Sequence, residues 1–165
     1  MLSLLFGFSA IILSIDGYFI LSALAIIFSV VFDGFDGELA RQLNTHSEFG
    51  KELDSLVDVV SFGIAPSVLG YSFIYQRGTF LAVLVFFIYL LAAIIRLAKY
   101  NITPKAEMPG YFYGLPTTVA GGILASFVLI CRQKGVMAFT GNLFFLFLST
   151  ISQLVLNVDF FVDGD

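Results

Sequence analysis

Four aspartates at helical spacing are the residues of this sequence best suited to chemistry: Asp33, Asp36, Asp54 and Asp58. The first two are three residues apart and the last two are four apart, so each pair shares one face of a helix. A short polar segment, residues 42–49, lets the two helices turn back and face each other. Four carboxylates in so small a volume repel one another unless cations lie between them. The spacing therefore predicts a metal site.

The ligand chemistry of this predicted site favours one class of ion. All four ligands are carboxylates, with no Cys or His among them, which suits Mg²⁺ or Mn²⁺ better than zinc. Two ions bridged by shared carboxylates could clamp a pyrophosphate and stabilise charge on the leaving and attacking oxygens. The competing interpretation is a solvated helix end with scattered acids. The pairing of both aspartate sets with glycines argues against it.

Three small residues and one arginine accompany the aspartates: Gly37, Ala40, Gly50 and Arg41. Small side chains let a nucleotide lie against the helix backbone, but they serve helix–helix packing in membranes equally well. The arginine offers a fixed positive charge for a phosphate, and its alternative role is that of a snorkelling residue at a helix end. The residues alone leave these interpretations open.

The complete motif resembles that of the CDP-alcohol phosphotransferases, integral membrane enzymes that join a CDP-activated lipid to an alcohol. It reads Asp33-x2-Asp36-Gly37-x2-Ala40-Arg41-x8-Gly50-x3-Asp54-x3-Asp58. The resemblance implies that the nucleotide of the CDP-lipid is bound by Asp33, Asp36, Gly37, Ala40, Arg41, Gly50 and Asp54. It further implies two divalent ions, Mg²⁺ or Mn²⁺, held by Asp33, Asp36, Asp54 and Asp58.

In this resemblance Asp58 has a second role, as the general base. It would take the proton from the acceptor hydroxyl, which then attacks the β-phosphorus of the CDP-lipid and expels CMP. Binding to a metal lowers the proton affinity of a carboxylate, so metal-assisted ionisation of the hydroxyl could share that task. Asp58 is the predicted catalytic residue.

Three further stretches resemble the phosphatidylserine synthase branch of the family, which implies L-serine as the acceptor. They read Ser61-Phe62-Gly63-Ile-Ala65-Pro66-Ser67, Arg96-Leu-Ala-Lys99-Tyr100-Asn101 and Tyr113-Gly114-Leu115-Pro116. Serine carries a carboxylate and an ammonium, so its site needs a cation and acceptors. The residues predicted to bind serine or phosphate are Ser61, Arg96, Lys99 and Asn101. For Arg96 and Lys99 the alternative is a role as interface anchors that face lipid headgroups.

The composition is that of a membrane protein. The chain is 59% hydrophobic and 12% charged, with a mean hydropathy of +0.98, against about 45–50% apolar residues and about 25% charged residues in soluble domains. So few polar residues cannot cover a soluble domain, which places the chain in a bilayer. No basic run suggests nucleic acid as a partner, and the single Cys131 excludes an intrachain disulfide.

Apolar runs predict an all-α integral membrane protein with six transmembrane helices, in a single domain over residues 1–165, and the family resemblance implies the CDP-alcohol phosphotransferase fold. The predicted spans are residues 1–15, 18–41, 47–75, 80–95, 117–131 and 135–158. Gly63 and Pro66 should kink the third span. The first span is short, and the chain begins inside an apolar run, so we expect that an N-terminal piece is missing.

Charge distribution predicts the orientation of this multi-pass protein in the cell membrane. Five basic residues fall on the side of the motif (Arg41, Lys51, Arg96, Lys99 and Lys105), and three fall on the other side (Arg77, Arg132 and Lys134). The positive-inside rule then favours an active site that faces the cytoplasm. The family resemblance adds a homodimer, with a cavity open sideways to the membrane lipids.

Three functions follow. The first is the transfer of the phosphatidyl group of CDP-diacylglycerol, or its CDP-archaeol equivalent, to L-serine, with CMP as the second product. The second keeps this chemistry with inositol phosphate or glycerol phosphate as the acceptor. The third is a non-catalytic membrane protein that binds or transports divalent cations, since acidic clusters in spans also mark ion paths. The position of the motif at helix ends, with Arg41 beside it, argues against the third.

Overall fold

A computed structural model describes residues 2–42, 48–75, 80–102 and 117–133 of the chain. Every regular element in these ranges is a helix, which agrees with the predicted all-α class. The α-helices are α1 (Leu2–Ile15), α2 (Phe19–Gln42), α3 (Glu48–Asp58), α4 (Ala65–Tyr75), α5 (Phe80–Ile102) and α6 (Thr117–Gln133). Between α3 and α4 lies one π-helical segment, Val59–Ile64, called here the π segment.

The turn between α1 and α2 is a Schellman motif, which the sequence signals with Asp16-Gly17. Gly17 has φ +82°, a left-handed conformation that glycine adopts without a steric penalty. The amide of Tyr18 donates to the carbonyl of Leu13 at 2.8 Å, and the amide of Gly17 donates to that of Ser14 at 3.2 Å. These two bonds satisfy carbonyls that the end of α1 would otherwise leave without donors. α1 and α2 therefore form an antiparallel hairpin.

Paired serines fasten the two helices of this hairpin to each other. Near one end, the Ser3 and Ser29 hydroxyls lie 3.1 Å apart, and Ser29 also donates to the Ser3 carbonyl at 2.8 Å. Near the other end, the Ser14 and Ser22 hydroxyls lie 2.6 Å apart, and Ser22 donates to the Ala10 carbonyl at 2.8 Å. All four serines are buried. Small residues with interhelical hydrogen bonds are how helices associate where lipid removes the hydrophobic driving force.

The π segment lies at the centre of the fold and contacts every α-helix that the structure describes. Its residues Ser61, Phe62 and Gly63 are buried. Around it, α2 packs against α1 and α6, and α4 packs against α1 and α5. Close approach depends on small residues, because a Cβ added at Gly7 of α1 would lie 2.8 Å from the Cα of Ser61. The core is therefore built from helices that meet at glycine, alanine and serine.

The predicted number of spans is established only in part. Two continuous helical stretches in the described ranges are long and apolar enough to cross a membrane, Phe49–Ile74 and Ala82–Lys99. Three shorter apolar helices accompany them: Leu2–Ile15, Phe19–Phe35 and Thr117–Arg132. The sixth predicted span, residues 135–158, lies outside the described residues. Large apolar side chains on the outer faces of α1, α2 and α5 are exposed, among them Phe8, Phe28 and Phe87.

Two predicted features of the helices need correction. The fourth predicted span ended at Ile95, but α5 continues to Ile102, so Asn101 lies in its last turn and not in a loop. Arg, Leu, Ala and Lys follow Ile95, and these are good helix formers although two of them are charged. The interruption expected from Gly63 and Pro66 takes the form of the π segment, inside a helical rod that continues from α3 into α4.

Candidate active site

Three aspartates of the motif reach the site from two helices. Asp33 lies in α2, and Asp54 and Asp58 lie one turn apart in α3, with Asp58 as its last residue before the π segment. Asp33 and Asp58 are half-buried, and Asp54 is exposed. Phe6 of α1 stacks on Phe32 with ring centroids 5.1 Å apart, which fixes α2 at the position next to Asp33.

The Asp58 carboxyl is the centre of this cluster. It lies within hydrogen-bonding range of the Asp33 carboxyl, and the charges of both Asp33 and Asp54 act on it. One of its oxygens, Oδ1, is buried and has no hydrogen-bond partner among the described residues. A buried carboxylate oxygen without a donor is costly, and two neighbouring carboxylates add repulsion. Within the described part of the chain, Asp58 Oδ1 therefore lacks a positive partner.

A divalent cation would suit the chemistry of these oxygen atoms. The donors are carboxylate oxygens, the class that Mg²⁺ and Mn²⁺ prefer, and Asp58 Oδ1 is an oxygen in need of a partner. The described side chains do not include a complete group of three acidic, histidine or cysteine ligands in metal-binding geometry. Asp36, the fourth predicted ligand, lies in α2, and its side chain is outside the described set. The carboxylate donors and the Asp58 oxygen without a partner thus fit a cation. The described residues alone do not supply a full set of ligands for it.

The predicted nucleotide-binding residues fall at the two helix ends that border the cluster. Gly37, Ala40 and Arg41 lie in the last turns of α2, and their side chains, like that of Asp36, are outside the described set. Gly50 lies in the first turn of α3 and is exposed. The motif thus extends from the C-terminal part of α2 to the last residue of α3.

Arg96 of α5 and Thr117 of α6 form one of the polar contacts near this end of the bundle. The Arg96 Nη1 donates to the Thr117 hydroxyl at 3.0 Å, and Arg96 is half-buried while Thr117 is buried. A guanidinium has five N–H donors, and the bond to Thr117 uses one of them. Arg96 therefore keeps donors and its charge for an anionic group.

Asn101 connects the last turn of α5 to the helix that carries Asp54 and Asp58. Its side-chain Nδ2 donates to the Ser55 hydroxyl at 2.9 Å and to Glu52 Oε2 at 3.4 Å, and Ser55 donates to its Oδ1 at 3.1 Å. Lys51 Nζ donates to its backbone carbonyl at 3.1 Å. This network fixes α3 against α5 beside the aspartates, a function that the sequence analysis did not assign to Asn101.

Ser61 has a different environment from the other residues predicted to bind serine or phosphate. It is fully buried in the π segment, and its hydroxyl donates to the Ser3 carbonyl at 3.3 Å. This contact favours a packing role at the α1 interface. Lys99 is half-buried near the end of α5, one turn after Arg96. The structure thus brings Arg96, Lys99 and Asn101 to the same end of α5.

One polar residue near the site was missed by sequence reasoning. Tyr89 of α5 is fully buried, and its hydroxyl donates to the Phe62 carbonyl in the π segment at 3.0 Å. A signal for it exists, since Tyr89 is a hydroxyl-bearing residue inside an otherwise apolar run, Phe80 to Ile95. A buried tyrosine hydroxyl usually has a partner, but the partner cannot be read from the sequence.

The sequence matches one family model and several named proteins. A family model described as CDP-alcohol phosphatidyltransferase matches residues 1–157. The chain is 33% identical over 152 residues to a protein of Helicobacter pylori named CDP-diacylglycerol–serine O-phosphatidyltransferase, covering 92% of this chain and 63% of that protein. It is 43% identical over 101 residues to a Bacillus subtilis protein of the same name, covering 61% of this chain and 56% of that protein.

An archaeal protein is similar to the same degree. The archaetidylserine synthase of Methanothermobacter thermautotrophicus is 37% identical over 126 residues, with 74% of this chain and 52% of that protein covered. The chain therefore spans a little more than half of the length of these curated relatives.

Proposed function

The chain belongs to the CDP-alcohol phosphatidyltransferase family, and from this premise we propose that it transfers a phosphatidyl group to L-serine. The donor is CDP-diacylglycerol or CDP-archaeol, and the products are phosphatidylserine or archaetidylserine and CMP. The observation that carries the chemistry is a buried Asp58 oxygen that has no hydrogen-bond partner among the described residues and lies near two further carboxylates. The names of the relatives support the acceptor, because bacterial and archaeal proteins named for serine transfer align with most of this chain.

The carboxylates of the motif would hold the divalent ions and the substrate phosphates in one place. Asp33, Asp36, Asp54 and Asp58 would hold two Mg²⁺ or Mn²⁺ ions, which supply charge neutralisation at the pyrophosphate when bound. Gly37, Ala40 and Gly50 would leave room for the nucleotide, and Arg41 would bind a phosphate. These residues border one end of the bundle. The headgroup of a donor whose tails stay in the bilayer could reach them there.

In the transfer itself, Asp58 acts as the base. Its carboxylate accepts the proton of the serine hydroxyl, and the hydroxyl oxygen forms a bond to the β-phosphorus of the donor. The bond between that phosphorus and the bridging oxygen breaks, and CMP leaves with the electron pair. The proton then passes from Asp58 to solvent. The proximity of Asp33 and Asp54 to Asp58 supports a common site for the base and the phosphates.

The serine carboxylate would be bound by the basic end of α5. Arg96 is half-buried there with donors to spare beyond Thr117, and Lys99 lies one turn further. Asn101 is proposed as a support of α3, because its side chain is engaged with Ser55 and Glu52. Ser61 is left out of the proposed serine site, because its hydroxyl is engaged with Ser3.

We also propose a multi-pass protein of the cell membrane whose site faces the cytoplasm. Two long apolar helical stretches and exposed apolar outer faces support a membrane location. The basic residues near the motif support its orientation. A homodimer stays a prediction from the family resemblance.

The decisive experiment measures CMP release from CDP-diacylglycerol in detergent with Mn²⁺. L-serine is compared with myo-inositol 1-phosphate and glycerol 3-phosphate, and Asp58→Asn is run beside the unmodified protein. We expect release with serine, reduced by a factor of about 10³ or more in the variant because base and metal ligand are both lost. Asp16→Asn is the matched control, since Asp16 is exposed in the turn at the opposite end of α2.

Each other result has a definite meaning. Release with a different acceptor would overturn the serine assignment and keep the metal-dependent chemistry. If neither CDP-diacylglycerol nor CDP-archaeol as the donor gives release with any acceptor, the result would favour a non-catalytic protein that binds divalent cations. Equal losses in Asp58→Asn and Asp16→Asn would remove Asp58 from its proposed role.

A further inference from the structure

The π segment begins directly after Asp58, and its geometry determines where that residue points. The amide of Ala65 donates to the carbonyl of Val60, five residues earlier, which is the π-helical pattern. An α-helix turns by about 100° per residue, so one residue more or less in this turn rotates Asp58 by that angle relative to α4. The turn must therefore keep its π-helical form if Asp58 is to face Asp33 and Asp54.

Pro66 removes one possible backbone donor from this segment. In an α-helix the Phe62 carbonyl would accept a hydrogen bond from the amide of residue 66, but proline has no N–H to donate. Both Phe62 and Pro66 are buried, so water does not readily replace that donor. The chain itself thus removes the α-helical partner of the Phe62 carbonyl.

Tyr89 supplies a donor to this carbonyl from another helix. Its hydroxyl lies 3.0 Å from the Phe62 oxygen, and the side chain is fully buried in α5. On another side, Gly121 of α6 closes over the same backbone, because a Cβ there would lie 3.4 Å from the Phe62 Cα and 3.2 Å from the Pro66 Cγ. The Phe62 peptide is thus enclosed by α5 and α6, with Tyr89 as a side-chain donor to it.

We infer that Tyr89 is a positioning residue, whose hydroxyl holds the Phe62 carbonyl, keeps the π segment in register and so places the Asp58 carboxyl beside Asp33 and Asp54. It acts through Phe62 and not on the substrate. Its kinetic consequence rests on the proposed function, whereas its structural consequence does not.

The test is Tyr89→Phe, which removes the hydroxyl and keeps the ring. Ser22→Ala is the matched control, because it removes another buried hydroxyl that donates to a backbone carbonyl, at 2.8 Å, in the α1–α2 hairpin. Three properties are measured: hydrogen exchange of the amides of residues 59–65 and 67, the affinity for Mn²⁺ added alone, and the kinetics of CMP release.

For Tyr89→Phe we expect exchange of these amides to rise about fivefold or more and the Kd for Mn²⁺ to rise about tenfold. We expect kcat to fall about tenfold while the KM for serine changes by less than about twofold, since a displaced base affects the transition state more than serine binding. Ser22→Ala should leave all three measurements near those of the unmodified protein.

Two results would overturn the inference. One is amide exchange of the π segment in Tyr89→Phe that equals that of the control. The other is faster exchange with unchanged Mn²⁺ affinity, because Asp58 would then keep its place without the hydroxyl. If the unmodified protein releases no CMP, the proposed function fails, and exchange and Mn²⁺ affinity still decide the role of Tyr89.

Discussion

At the residue scale, Asp58 has two features that rarely occur together in an acidic residue with a purely structural role. It lies among other carboxylates, and one of its oxygens is buried with no donor in the described part of the chain. A side chain kept only for stability would be paired or exposed. A cation bound there would relieve the repulsion between the carboxylates, so we expect its binding and the folding of the site to be coupled.

Arg96 allows a prediction about recognition of the acceptor. Arg96→Gln removes the charge that would bind the serine carboxylate, so we expect the KM for serine to rise about 30-fold while that for CDP-diacylglycerol changes by less than about twofold. Steady-state kinetics with each substrate varied in turn measures the difference. Arg132→Gln, at the exposed end of α6, should change neither value.

A second control separates charge from structure. Thr117→Val removes the partner that Arg96 has in α6 and leaves the guanidinium in place. If this variant raises the KM for serine as much as Arg96→Gln does, the arginine acts by holding α6, and its assignment to the serine carboxylate is wrong.

The sequence indicates the proximity of the aspartates more readily than the contacts of Asn101 and Ser61, and the reason is physical. The aspartate spacing is local, and the side chains of three of the four aspartates are described, with Asp33 and Asp54 close enough for their charges to act on Asp58. Asn101 and Ser61 were predicted to bind serine or phosphate from their neighbours in sequence. In the structure their side chains form hydrogen bonds with Ser55 and Ser3, which lie 46 and 58 residues away in the chain. Contacts of that kind depend on how helices pack, which no local pattern specifies.

At the scale of elements, helix ends set by hydropathy were less accurate than helix ends set by turn chemistry. The Asp16-Gly17 turn stands where glycine indicates it, with Tyr18 donating to Leu13. The end of α5 was placed too early, because a charged residue ends an apolar run without ending a helix. Pro66 correctly marked an irregularity, but its π-helical form depends on contacts with α5 and α6.

Packing at Gly7 gives a prediction about stability. Gly7→Ala would place a Cβ 2.8 Å from the Cα of Ser61, a backbone atom that cannot move without shifting the π segment. We expect a loss of about 1–3 kcal/mol in the free energy of unfolding, measured as a lower Tm in detergent. Gly34→Ala is the control, since no atom of the described residues, apart from the adjacent backbone of α2, lies within 4 Å of the added Cβ.

Gly34→Ala should keep or slightly raise the Tm, because alanine favours a helix more than glycine does. A Tm for Gly7→Ala equal to that of the control would mean that α1 does not approach the π segment as closely as the structure places it.

At the scale of the whole molecule, the proposed membrane placement puts the two ends of the bundle on opposite sides of the bilayer. Asn101 contacts Ser55 at the end that carries the motif, whereas Asp16 lies in the turn at the far end of α2. In a Cys131→Ala background, we expect Asp16→Cys to react with a membrane-impermeant maleimide on intact cells. Glu52→Cys, which replaces an exposed residue of α3, should react only after the membrane is opened.

Labelling in the opposite order would reverse the proposed orientation and place the site outside the cytoplasm. Equal labelling of both positions on intact cells would contradict the opposite placement of the two ends across a bilayer. Unmodified Cys131 alone would give less information, because its side chain is only partly exposed.

The serine pairs between α1 and α2 have a consequence for how the protein is made. Because Ser14 pairs with Ser22 and Ser3 with Ser29, the hydroxyls of the first two helices satisfy one another within a single hairpin. Both of these helices leave the ribosome before any residue of α3 does. We therefore expect it to enter the bilayer as one preassembled unit, which then serves as the template on which the later helices assemble.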